Sequence, residues 1–210
     1  MGPGLLNYLS TDPLAFAMLA VALIGALGLH EYAHALAADL QGDRLPRAMG
    51  RLTPNPLKHL DPLGTILILI AGFGWARPVE FRPQALSSKR FGAAIVALAG
   101  PMMNLALALV GAFGFVLFAE PGEQGTLATF FFLFSGINVL LAVFNLVPLP
   151  PLDGSRLLTI FLPPEKQKII FFLDRYGMLI LLALVLFGGM QILDPIVLGV
   201  RDFLLSLAGG

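Results

Sequence analysis

The chain has 210 residues, 57% of them hydrophobic and only 12% charged, with a mean hydropathy of +0.85. No water-soluble core needs that much apolar surface, so the composition points to a protein embedded in the lipid bilayer. Lys plus Arg and Asp plus Glu number 13 each and form no dense basic run with interleaved aromatics, which excludes a nucleic-acid footprint; the absence of cysteine excludes disulfides, thiolate metal ligands and cysteine nucleophiles.

A helix needs about 20 apolar residues to cross the hydrocarbon layer. Four stretches qualify in chain order: Pro13 to about Leu40, Phe91 to Phe118, Leu127 to Leu149 and Ile169 to Leu193. They predict an all-α polytopic protein of four to five transmembrane helices, forming one membrane-embedded domain over residues 1–210. No Lys or Arg precedes Arg44, so the first stretch lacks the basic flank of a cleaved signal peptide and is expected to stay as structure. Between the first two spans, Gly64 to Ala76 has an apolar core too short to cross and rich in β-branched residues. It predicts a short re-entrant or β-hairpin element. Proline clusters at 53–56, 148–151 and 163–164 mark loops or helix ends.

Cations sort to one side of this arrangement. Residues 41–90 carry Arg44, Arg47, Arg51, Lys58, Arg77, Arg82, Lys89 and Arg90, and Arg156, Lys166, Lys168 and Arg175 fall on the same side. The other side receives the N-terminus, the loop Glu120 to Glu123 and a tail holding Arg201. Because Lys and Arg near span ends are retained in the cytoplasm, a multi-pass protein of the cell membrane with its N-terminus outside is expected.

Within the first span lies Leu29-His-Glu-Tyr-Ala-His-Ala35, an HExxH pattern among Ala, Leu, Gly and Ile. On a helix, positions i and i+4 share a face, so His30 and His34 can converge on one metal while Glu31 acts as general base toward a metal-activated water. Polar side chains that merely bond helices together are the plain alternative, but three ionisable groups in one turn are costly inside a membrane without a metal or a wet cavity. A catalytic zinc takes three protein ligands as a rule. Asp153, in Phe144-Asn-Leu-Val-Pro-Leu-Pro-Pro-Leu-Asp-Gly-Ser155, emerges from the third span at the level expected for the two histidines. An Asp before a Gly is equally a turn residue, and spacing leaves both readings open.

Taken together, the apolar HExxH helix, Ala99-Gly-Pro-Met-Met-Asn104 and the Asn145 to Gly154 run resemble the site-2 protease family of intramembrane zinc metalloproteases, in its compact form without PDZ or CBS domains. The family's aspartate motif usually ends Asp-Gly-Gly, where this chain has Asp-Gly-Ser. The resemblance implies Zn2+ held by His30, His34 and Asp153, Glu31 as base, Asn145 near the scissile carbonyl, and cleavage of transmembrane or membrane-proximal peptide bonds in a transmembrane protein substrate in the lipid bilayer; the direction of the spans puts the active site nearer the cytoplasmic face.

The remaining polar residues read otherwise. Asn104 and Asn138 are expected to be structural or to organise water, His59 to be an ordinary loop histidine, and Asp39 and Asp61 to be surface carboxylates. Trp75, Arg77, Arg201 and Asp202 read as interfacial anchors. A metal-binding transporter and a catalytically inactive membrane scaffold are the rival functions. Metal flux without proteolysis would mark the first, and binding without cutting the second.

Overall fold

The computed structural model describes residues 5–71, 74–120, 125–161 and 167–209. Glu123 of the acidic loop, Pro163, Pro164 and Lys166, each used in the sequence reading, lie outside the described residues.

A short helix α1 (Leu6–Thr11) leads into α2 (Pro13–Leu40). Asp12 caps α2, its carboxylate accepting from the Ala15 amide at 2.9 Å, and Pro13 takes the first position, where a missing N–H costs nothing. At the other end Gly42 adopts φ +103°, with its amide donating to the Asp39 carbonyl and the Asp43 amide to that of Ala38. This Schellman closure stops the helix, and glycine is the residue that adopts it without strain. A four-residue helix, α3 (Leu45–Ala48), follows.

Next comes α4 (Pro62–Ala71), capped by Asp61, whose carboxylate accepts from the Gly64 amide at 2.8 Å. Ten residues of helix reach about 15 Å, half the hydrocarbon thickness. Its flanks are drawn together by an antiparallel bridge between Leu60 and Ala76, and the Arg77 amide donates to the His59 carbonyl at 2.8 Å. Where β-branched residues suggested an element that is re-entrant or a hairpin, residues 62–71 are helical; residues 72 and 73 lie outside the described residues.

The remaining helices are α5 (Lys89–Phe118), α6 (Thr126–Asn145), α7 (Gly154–Phe161), α8 (Gln167–Leu186) and α9 (Asp194–Leu207). Among the described residues, four helices are long and apolar enough to cross a membrane, over Pro13–Leu40, Phe91–Phe118, Thr126–Asn145 and Lys168–Leu186. Their interior faces are small: Ala22, Ala26, Ala35, Ala38, Ala108, Ala112 and Ala142 are fully buried, while Val21, Phe113, Leu117, Phe171 and Leu179 point outward. Bulk outside and small residues inside is the packing of a bundle solvated by lipid. Between α5 and α6 a Cβ on Gly111 would meet the backbone of Ser135 at 2.8 Å, so the helices touch at near-backbone distance. The chain is a multi-pass membrane protein.

Two of the expected spans end early. The third stops at Asn145, short of Leu149, because the residue before Pro148 is barred from helical geometry and the prolines that follow cannot donate. The fourth stops at Leu186, short of Leu193, where Gly188 turns the chain at φ +77°.

Outside the spans, Asp43 is fully buried and accepts from the Arg82 amide at 2.5 Å, the Arg82 guanidinium at 2.8 Å and the Leu45 amide at 3.1 Å. Burial alone would raise its pKa; these donors overcome it and hold the carboxyl below its ordinary value. A lowered pKa means that the clamp's contribution is full above the ordinary carboxylate value of about 3.9 and is lost as pH falls through the lower folded-state value. Asp43→Ala leaves two backbone amides without their acceptor and should cost about 1–3 kcal/mol, read as a lower thermal midpoint in detergent. An unchanged midpoint at neutral pH would mean the clamp is idle.

Candidate metal centre

Three side chains from two distant parts of the chain meet. His30 Nε2 and His34 Nε2 lie 3.0 Å apart, and Asp153 Oδ2 lies 3.1 Å from the first and 3.2 Å from the second. Both imidazoles are buried. The i, i+4 spacing on α2 accounts for the histidine pair. Asp153 reaches them because the proline loop doubles back: a Cβ on Gly154 would fall 2.2 Å from the Leu146 carbonyl, so only glycine permits that fold. Leu149 and Leu152 hold the loop down by packing on Leu181 of α8.

The protonation of the rings follows from their other partners. His34 Nδ1 lies 2.7 Å from the Val96 carbonyl, which only accepts, so this nitrogen carries the proton and Nε2 presents a lone pair. His30 Nδ1 lies 2.5 Å from Asn104 Oδ1, which also only accepts. Two imidazole lone pairs and a carboxylate oxygen therefore face one another. A single proton can satisfy two of the three atoms; a divalent cation satisfies all of them. The triangle also has the right size, since a tetrahedral zinc with bonds of 2.0–2.1 Å sets its ligand atoms about 3.3 Å apart.

Clearance comes from α5. A Cβ on Gly100 would lie 2.4 Å from His34 Nε2 and 2.6 Å from His30 Nε2, so a side chain there would crowd both nitrogens that face Asp153. Pro101 next to it cannot donate to the helix, and Asn104, one turn on, holds His30. Neither Gly100 nor the contact of Asn104 with the His30 ring was anticipated above; the signal was present in Ala99-Gly-Pro-Met-Met-Asn104 but carries no periodicity that reveals it.

Glu31 is buried, and its Oε2 accepts from the Val79 amide at 3.2 Å, which ties the extended segment after Ala76 to the site. Arg51, also buried, donates to the Lys58 carbonyl at 2.5 Å. Burial first, and then Arg77, push its pKa down, while Glu31 and Glu80 pull it up; a guanidinium stays charged through such a shift, so a cation sits within electrostatic range of Glu31. A cleft of about 980 Å³ adjoins this region, lined by Val79, Glu80, Phe81 and Arg156 among others.

Other residues singled out in the sequence have partners of their own. Asn145 donates to the Leu141 carbonyl at 3.0 Å within α6. His59 is fully buried, with Nε2 donating to the Thr53 carbonyl at 2.9 Å. Asp39 is a buried carboxylate held by Arg44 at 2.9 Å and Arg47 at 2.8 Å, not a surface one, and Asp61 is a helix cap.

Comparison with known proteins agrees with this chemistry. The profile of peptidase family M50 matches residues 18–122 and 119–187. Among proteins named "Putative zinc metalloprotease", YwhC of Bacillus subtilis (strain 168) is 40% identical over 196 residues, covering 90% of each chain. Rip2 of Mycolicibacterium smegmatis is 31% identical over 87% of this chain and 74% of its own, and Rip2 of Mycobacterium tuberculosis (strain H37Rv) is 32% identical over 84% and 71%. No solved structure matches significantly. An apolar helix bundle, a zinc-sized triangle of candidate ligands and this kinship lead to one conclusion: the chain belongs to peptidase family M50 and is a zinc metalloprotease.

Proposed function

We propose that the protein cleaves peptide bonds in or near transmembrane segments of other membrane proteins, with His30, His34 and Asp153 holding zinc and Glu31 as general base. The convergence of three electron-pair donors without a donor hydrogen among them, beside a buried glutamate, is the observation that carries this reading. When bound, zinc supplies Lewis-acid polarisation and lowers the pKa of water to about 7.

The chain's own groups do the rest. Glu31 takes a proton from the attacking water and returns it to the leaving amine. The Val79 amide holds its Oε2, so the carboxylate keeps one orientation while the second oxygen handles the proton. Arg51 balances the charge of the base. One amide hydrogen of Asn145 is engaged by Leu141, and we assign the other to the substrate carbonyl. The cleft bordered by Val79 and Arg156 suits an unwound peptide segment. With the cations of residues 41–90 and 156–175 in the cytoplasm, the N-terminus is outside, the site opens toward the cytoplasmic side, and the 15 Å reach of α4 fits an element that dips into the membrane and returns.

Metal analysis tests the ligand set. Purified protein should carry close to one zinc per chain, and His34→Ala or Asp153→Ala should each bring that near zero with helix content unchanged. Full zinc occupancy in Asp153→Ala would remove it from the site. Metal transport into sealed vesicles without cleavage of any single-span substrate would favour a transporter.

A further inference from the structure

We propose that Asn138 is a positioning residue that decides which nitrogen of His30 binds the metal, acting through Asn104; this rests on the zinc-site reading above. A carboxamide presents an oxygen that accepts and an NH2 that donates, and either can face a neighbour unless something fixes the choice. Here something does. Asn138 Nδ2 lies 2.9 Å from the Phe134 carbonyl one turn back on α6, and a carbonyl can only accept. The Asn138 oxygen is therefore turned toward α5, where it accepts from Asn104 Nδ2 at 2.8 Å. The same Asn104 nitrogen faces the Ala26 carbonyl at 3.4 Å. That leaves Asn104 Oδ1 for His30 Nδ1 at 2.5 Å, so Nδ1 carries the ring proton and Nε2 is left as a bare lone pair facing His34 and Asp153.

The two metal-facing rings thus obtain the same polarity by different routes. His34 takes it directly from the Val96 carbonyl. His30 takes it from a carbonyl on a third helix, relayed by two fully buried asparagines. Asparagines commonly join helices inside membranes, and for that purpose either orientation of the pair would serve. Only one orientation leaves Nε2 able to bind a cation. With the Asn138 acceptor gone, only the longer contact to the Ala26 carbonyl opposes rotation, and the Asn104 amide can turn over, present NH2 to Nδ1 and move the ring proton onto Nε2.

The experiment compares two near-isosteric variants of the full chain in detergent, titrating zinc against a competing chelator. Asn138→Leu keeps the volume and loses the polarity; it should weaken zinc binding at least tenfold, the low end of what outer partners of metal ligands contribute. Asn138→Asp, buried and so kept neutral, has a C=O that accepts from Asn104 and an O–H that donates to Phe134, and should bind zinc within about threefold of wild type. Equal affinity in the two variants, whether both weak or both strong, overturns the proposal. Histidine 15N shifts of the metal-free wild type give a second readout that needs no variant to fold: His30 should be in the Nδ1–H form, and an Nε2–H form overturns the relay. Wild-type protein that binds no zinc yet shows the Nδ1–H form would sink the metal-site reading while supporting the relay, so the two failures are distinguishable.

Discussion

Replacing Glu31 with glutamine should leave zinc bound and lower the cleavage rate of a single-span substrate in liposomes by about 10²- to 10⁴-fold, the usual worth of a positioned acid or base. Glutamine keeps the carbonyl oxygen that accepts from the Val79 amide, so segment and fold are undisturbed. It cannot take a proton at neutral pH. The loss should fall on kcat, with zinc stoichiometry and substrate binding close to wild type. Turnover within a few-fold of wild type would show that another group moves the proton, and the buried glutamate would then need a structural explanation.

Adding a single methyl group at Gly100 should have an effect as large by a different route. The Cβ of Gly100→Ala would fall 2.4 Å from His34 Nε2 and 2.6 Å from His30 Nε2, closer than any real contact. To relieve it, either the rings turn or α5 retreats, and a zinc site tolerates displacements of only about 0.2 Å. Zinc affinity should fall by at least about a hundredfold and cleavage with it, while alanine, the better helix former, keeps α5 helical. Loss of metal with retained helix content is the expected signature. Wild-type zinc affinity in this variant would mean that the helix gives way, and that the close approach of α5 is not what shapes the centre.

Much of the candidate site could be read from the sequence because it is local. The HExxH spacing needs only helical periodicity, and the apolar stretch around it needs only hydropathy, so the convergence of His30 and His34 and the start of α2 at Pro13 were legible. Asp153 was half legible: span direction brought it to the right level, but an Asp-Gly pair is equally a turn, and the family resemblance decided it. Gly100, Asn104 and Asn138 could not be found this way. Their significance depends on which faces of α2, α5 and α6 cross and at what distance, which neither composition nor periodicity encodes. The end of the fourth span was missed for another reason. Phe187, Met190, Ile192 and Leu193 carry an apolar run past Leu186, whereas the chain turns at Gly188, whose φ of +77° an apolar scale does not register.

The proposed ligands come from widely separated stretches: 119 positions part His34 from Asp153. During synthesis, then, a chain whose first two spans are already threaded into the bilayer holds two imidazoles and no third ligand. With that ligand set, a chain still in synthesis would gain hydrolytic power only once translation had passed the proline loop after α6.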